Sequence, residues 1–399
     1  MAHIMDEEQI RAAVRALPIE LPSWGFGNAG TRFGAFPAPT AARDIYEKIE
    51  DAAAVHRLTG GSPSVAVHIP WDLPPEGKTW ADIADFAREQ GVAIGAINPN
   101  LFQDHDYRLG SVCHPDARVR AKAVAHLKEC GEIAAVTGSK FVSVWLADGT
   151  NYPGQDDIRA RRHRLVESLA EGYAAMPDDC EMLVEYKLFE PAFYTTDLCD
   201  WGTSFTVCQK LGDRAKVLVD TGHHAHYTNI EFIVATLLDE GRLGGFHFND
   251  RRYADDDLIV GSANPYQLFL IFHELINCHD GKTAAPVAYM LDQAHVVESD
   301  KVEAMVLSVL NVQTAYAKAL LVDRAALRDR QECGDVLGGH AILRDAYETD
   351  VRPLLAQMRE ESGRPADPLS ALKDEPTLKE RRAWRAANPA RASGGGLGA

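Results

Sequence analysis

The chain has 399 residues, 46% of them apolar and 25% charged, enough for one large α/β barrel with added helices or for two ordinary domains, and too apolar for a disordered chain. Its 41 basic and 58 acidic side chains leave a formal net charge of −17, which disfavours nonspecific binding to nucleic acid or to an anionic membrane surface. Cys113, Cys130, Cys180, Cys199, Cys208, Cys278 and Cys333 are scattered, odd in number and never spaced C-x-x-C, so they read as reduced thiols.

No apolar run is long enough to span a bilayer, and the N-terminus lacks the basic-then-apolar form of a signal peptide, so the cytoplasm is the expected compartment. From residue 23 onward, short β-rich runs alternate with longer stretches of helical periodicity, the signature of parallel βα units. The expected strands are SWGFG (23–27), SVAVHI (64–69), VAIGAI (92–97), KFVSVWL (140–146), EMLVEY (181–186), KVLVD (216–220), GGFHF (244–248) and VAYML (287–291). Intervening segments such as RDIYEKIEDAAAVHRL and YQLFLIFHELINC carry an apolar stripe at helical spacing. The expected fold is a (β/α)8 TIM barrel with additional C-terminal helices. Residues 1–22 form an N-terminal extension in this reading, 23–325 the catalytic barrel, 326–390 a helical extension and 391–399 a flexible Gly-rich tail.

In such a barrel the chemistry sits at the C-terminal ends of the strands and in the loops that follow. There the sequence places His68 and Trp71 after the second strand, Asn98 and Phe102 after the third, and Trp145 and Asp148 after the fourth. The later strands supply Glu185 and Lys187, Asp220 and His223, His247 with Asn249 and Asp250, and Asp292. Taken singly, each has an ordinary structural explanation. A lone histidine in an apolar strand is usually a hydrogen-bonded core residue, an Asp before Gly can shape a loop, and a tryptophan is more often core than a substrate platform.

Jointly those explanations fail. Burying Glu185, Asp220, His247 and Asp292 at one barrel mouth without compensation costs several kcal/mol per ion. A cation removes the conflict, and carboxylates with one imidazole suit Mn²⁺, Mg²⁺ or Co²⁺. His223, Asp255 and Asp257 can hold a second ion beside the first, with Glu185 or Asp220 shared.

At these residues the sequence resembles the L-rhamnose isomerase family, in its bacterial branch of broad aldose–ketose specificity, whose fold is the xylose isomerase-like TIM barrel. The segments that carry the resemblance are LPSWGFGNAGTRF, VAVHIPWD, KFVSVWLADGTNYPGQ, VEYKLFEPAFY, LVDTGHHA, GGFHFNDRRYADDDL and YMLDQAH, over roughly residues 20–360. The resemblance implies interconversion of L-rhamnose and L-rhamnulose, and of related aldoses such as L-mannose, L-lyxose and D-allose. It implies two divalent ions per subunit, Mn²⁺ foremost, with Co²⁺, Mg²⁺ or Zn²⁺ as alternatives.

On the same ground, a structural ion is held by Glu185, Asp220, His247 and Asp292, and a catalytic ion by His223, Asp255 and Asp257. His68 and Lys187 bind the sugar and, with Glu185 and Asp292, serve catalysis. Trp71 and Trp145 form apolar walls, Phe102 reaches into a neighbouring subunit's site, and the chain assembles as a homotetramer or a dimer. Two departures fall near the mouth, His226-Tyr227 and Tyr289, and bear on which sugar is preferred.

Two other classes compete. A metal-dependent phosphodiesterase or endonuclease can use the same barrel and a similar mouth, but calls for a basic face that this chain lacks. A non-catalytic sugar-binding protein can keep the barrel, but has no need of a complete ligand set.

Overall fold

The computed structural model describes residues 5–31, 34–190, 194–253, 255–277 and 287–388. Eight parallel strands close into a barrel: β1 (Ile19–Pro22), β2 (Ser64–Ile69), β3 (Ala93–Pro99), β4 (Phe141–Val144), β5 (Glu181–Glu185), β6 (Ala215–Asp220), β7 (Leu243–Phe248) and β8 (Ala288–Leu291). Each strand pairs with its neighbours in sequence, and β8 closes onto β1 through the register Ile19 to Tyr289 and Glu20 to Met290. Val, Ile and Leu fill the strands because both faces are covered, one by helices and one by the barrel interior.

The first strand corrects the sequence reading. SWGFG is not a strand: Ser23–Phe26 form a buried 3-10 turn, and the barrel begins at Ile19, not at residue 23. The strand that does form, IELP, contains Glu20 and Pro22, both of which argue against a central strand on propensity alone. Glu20 is tolerated because Ser64 Oγ donates to its Oε2 at 2.7 Å and the Ala96 amide to its Oε1 at 2.9 Å. Pro22 is tolerated at the last position of the strand.

The helices begin where a side chain can take up their free amides. Asp44 caps Ile45–Thr59, Thr79 and Asp82 form a reciprocal capping box for Trp80–Glu89, Asp116 caps Ala117–Thr137, and Asp200 caps Trp201–Leu211. One large apolar cluster lies between barrel and helices. A smaller one, with Trp24, Ala66, Ala96, Leu183, Leu218, Ala288 and Met290, fills the interior.

Beyond the barrel, helices Arg324–Glu332, Val336–Glu348, Arg352–Glu361, Pro368–Asp374 and Pro376–Ala387 fold back on it. Arg385 anchors the last of them, its Nη1 2.6 Å from Asp51 Oδ2 and 3.1 Å from the Thr40 carbonyl. No single described helix is long and apolar enough to cross a membrane. The Gly-rich tail at 391–399 lies outside the described residues.

Candidate functional site

The ends of four neighbouring strands, β5 to β8, bring Glu185, Asp220, His247 and Asp292 together. Register does this directly: Asp220 stands beside His247 across β6 and β7, and Glu185 beside Leu218 across β5 and β6. One ligand atom from each of the four lies within 4.8 Å of those of the other three. Glu185, Asp220 and His247 are buried, and the Asp292 side chain retains 23% of its exposure, so the group opens towards the mouth.

Backbone and side-chain donors hold these carboxylates in place. Asn249 Nδ2 donates to both Asp220 oxygens at 3.0 and 3.1 Å, and the Gly222 amide donates to Oδ1 at 2.6 Å. Trp24 Nε1 donates to Asp292 Oδ1 at 2.8 Å. Asn249 follows from the sequence as a strand-end residue; Trp24 does not, because its partner lies 268 positions away.

The electrostatics show strain between like charges. Burial pushes the Asp220 carboxyl up to about 7, with Glu185 and Asp292 adding to it. Burial also raises Asp292 and, well above the usual range, Asp257. Burial alone raises Glu185, but the His247 and His223 imidazoles beside it draw it down to about 2. His247 is raised to about 9 against the effect of burial, chiefly by Glu185.

His247 Nδ1 tests whether the group fits a cation. It is buried, 3.1 Å from Glu185 Oε2 and 3.5 Å from Asp292 Oδ2, yet out of line for a hydrogen bond to either. A ring nitrogen and carboxylate oxygens converging on one point without hydrogen-bond geometry is what ligation requires. The donor set, oxygen-rich with one imidazole, fits a divalent cation.

Next to this group, His223 Nε2 lies 2.7 Å from Asp255 Oδ1, and His223 Nδ1 lies 3.1 Å from Glu185 Oε1. Asp255 and Asp257 both sit in the left-handed region, φ 54° and 48°. Non-glycine residues there are uncommon and cost of order 1 kcal/mol or more each, which is a mark of functional loops. The alternation sets both carboxylates beside the group, where each feels Asp220 or His223.

Lys187 Nζ is held 2.5 Å from Asp255 Oδ2 and 3.0 Å from Glu190 Oε2, and it lies 4.9 Å from the centre of the Trp145 ring. Glu190 is in place because Phe189–Glu190, Tyr194–Thr196 and Gly149–Thr150 form a small antiparallel sheet over the mouth. Burial disfavours the lysine's charge, but Asp255 and Glu190 outweigh it, and Lys187 stays protonated.

Opposite, His68 stacks on Trp71 at 3.7 Å and meets Phe102 edge-on at 5.6 Å; Phe102 in turn meets Trp145 at 4.7 Å. Burial, then Lys48 and His126, hold His68 neutral. His68 Nδ1 and Trp145 Nε1 are buried without hydrogen-bond partners, leaving two polar atoms for a hydroxylated ligand.

The structure also places the other residues singled out from the sequence. Phe102 packs against His68, Trp71 and Trp145 of its own chain, because the loop after β3 folds inward through Asn100, whose Oδ1 accepts the Phe102 and Gln103 amides. It thus lines the wall of its own barrel. Tyr289 stacks on Phe246 and Phe248 in the layer between barrel and helices, away from the mouth, and His226 bonds the Arg252 carbonyl at 3.0 Å while Tyr227 is fully exposed. Asp148, beyond the end of β4, stands apart from the group. It accepts from Ser111 and Cys113, in a buried cluster with Asp197 whose charge Arg161 neutralises at 2.8 Å.

The comparisons with known proteins agree with this geometry. A family model described as "Xylose isomerase-like TIM barrel" matches residues 52–292. The chain belongs to that family. It is 43% identical over 407 residues to a probable sugar isomerase of Rhizobium meliloti, covering 98% of this chain and 91% of that one. It is 25% identical over 381 residues to an L-rhamnose isomerase of Salmonella paratyphi B, covering 86% and 85%. Among solved structures of the fold, an L-ribulose 3-epimerase superposes with a TM-score of 0.57 at 15% identity, over 77% of this chain and 98% of that one.

Proposed function

We propose that this member of the xylose isomerase-like family is an aldose–ketose isomerase acting on L-rhamnose and aldoses of like C2 and C3 configuration. The observation that carries the proposal is the convergence of Glu185, Asp220, His247 and Asp292 on one point, with His223, Asp255 and Lys187 beside it. In this reading the four-residue group holds one divalent cation, and His223, Asp255 and Asp257 a second that shares Glu185 or Asp220, with Mn²⁺ the expected metal. Bound there, the cations supply Lewis acidity that stabilises negative charge on O1 and O2 of the open-chain sugar.

The protein's own groups do the rest. Isomerisation shifts one hydrogen between C1 and C2 and one proton between O2 and O1. Lys187, protonated and fixed by Asp255 and Glu190, donates a hydrogen bond to a sugar oxygen and cannot serve as the base. His68, neutral, has its Nδ1 without a partner, free to accept or donate at a sugar hydroxyl. Trp71, Phe102 and Trp145 exclude water and offer an apolar wall to the C6 methyl of L-rhamnose, whose burial is worth about 0.8 kcal/mol. That modest gain discriminates poorly against sugars differing only at C6.

The sequence and site support this activity over a phosphodiesterase, since the residues around the group are acidic and aromatic rather than basic. The family membership and the likeness to a probable sugar isomerase point the same way. An assembly of identical subunits, with Phe102 at the mouth reaching towards a neighbour's site, remains part of the proposal. A panel of aldoses assayed for ketose formation at saturating Mn²⁺ tests it. L-Rhamnose is expected to give the highest kcat/KM, with turnover of L-mannose and L-lyxose; a preference for D-xylose or D-glucose would overturn the substrate assignment, and no ketose from any aldose would overturn the activity.

A further inference from the structure

The turn after β1 has no place among the ligand or sugar-binding residues above, yet it touches both. Ser23–Phe26 are all buried. The Ser23 hydroxyl donates to Asp72 Oδ2, the same oxygen that accepts the His68 amide at 2.7 Å, and Lys48 Nζ holds the other Asp72 oxygen at 2.6 Å. One residue on, Trp24 donates its indole N–H to Asp292 Oδ1 at 2.8 Å and packs edge-on against the His68 ring at 5.8 Å. The turn cannot slide. His295 Nδ1 donates to the Gly25 carbonyl at 3.2 Å, and a Cβ on Gly25 would come 2.2 Å from Met305 Cε and 2.9 Å from the Gln293 carbonyl.

Asp292 needs such support more than its companions do. Its side chain is the most exposed of the four, and it follows the last residue of β8. Its Oδ2 faces His247 at 3.5 Å, while Oδ1 is taken by the indole. A neutral N–H on one oxygen fixes the carboxylate's rotation and leaves its negative charge available.

We propose that Trp24 is a positioning residue: its indole N–H fixes the Asp292 carboxylate so that Oδ2 faces the ligand group, while its ring sets the edge against which His68 stands. It acts through Asp292 and does not touch the reacting atoms. The inference rests on the reading of the four-residue group as a metal site.

Trp24→Phe keeps an aromatic ring, smaller than the indole, and removes the donor; Asp292→Ala removes the acceptor. Metal-free wild type, Trp24→Phe, Asp292→Ala and the double variant are titrated with Co²⁺ by visible absorption, and melted with and without metal. Trp24→Phe is expected to bind Co²⁺ roughly 10- to 100-fold more weakly, its metal-free form still melting cooperatively but at a lower temperature because the buried ring is smaller. In the Asp292→Ala background the same substitution should alter affinity less than about twofold. Wild type that binds no Co²⁺ overturns the metal reading and this proposal with it. Binding unaffected by Trp24→Phe, or an equal loss in the Asp292→Ala background, overturns this proposal alone. Should Trp24→Phe not fold, ¹⁵N-indole spectra of wild type and Asp292→Ala decide: one of the six tryptophan resonances must move, and an unchanged set overturns the contact.

Discussion

His223 Nε2 and Asp255 Oδ1 stand 2.7 Å apart although 32 positions separate them, and Asp255's other oxygen is 2.5 Å from Lys187 Nζ. One carboxylate thus ties an imidazole of the proposed metal group to the ammonium proposed to bind the sugar. Asp255→Asn should weaken both. Turnover is expected to fall about 100-fold, and the melting temperature of the metal-free protein to change little, since Asp255 sits on a loop and not in a strand. Steady-state kinetics beside a melting curve check this, and a variant of unchanged kcat would contradict the role.

His247→Ala should behave differently, because the imidazole lies within β7 and its loss leaves buried Glu185 and Asp220 with His223 as their one remaining imidazole partner. A loss of about 3 kcal/mol or more in stability is expected together with loss of metal. Denaturant unfolding with elemental analysis separates this variant from Asp257→Asn, which should mainly lower turnover.

The pH dependence follows from Asp220. Its folded pKa, about 7, lies above the unfolded value of 3.8, so in the metal-free protein its contribution to stability is complete below pH 4 and is lost as pH rises through about 7. A cation must displace that proton. The gain in melting temperature on adding Mn²⁺ should therefore grow from pH 5.5 to pH 7.5, and a gain independent of pH would argue against ligation by Asp220.

The acid limb has another origin. Burial holds His273 down to about 4, and its Nδ1 has no hydrogen-bond partner. A folded pKa below the unfolded value of 6.5 gives stability that is present above pH 6.5 and lost as pH falls through about 4. His273→Leu should flatten that loss, by up to roughly 3 kcal/mol at pH 4. Urea unfolding of both proteins at pH 4, 5 and 7 gives the comparison.

Seven of the eight strands were legible because valine, leucine and isoleucine runs end in residues that a barrel interior does not ordinarily hold. The first was not. Glu20 and Pro22 disguise it, and only the closed barrel, with Ser64 and the Ala96 amide in reach of Glu20, makes that strand stable. Gly95 is part of the same bargain between distant residues, since a Cβ there would lie 1.6 Å from Glu20 Oε2. The convergence of Glu185, Asp220, His247 and Asp292 was legible from charge at strand ends. The roles of Trp24, Asp72 and Phe102 were not, because each depends on which loops meet over the mouth, and sequence separation hides those meetings.

Titrating Mn²⁺ into metal-stripped protein, while following both bound metal and ketose formation from L-rhamnose, tests the central claim most directly. Two equivalents should bind per chain, with no ketose at zero metal and full rate only when both are bound, and Asp292→Asn should bind one of them more weakly. Full turnover in protein that elemental analysis finds metal-free would contradict the account.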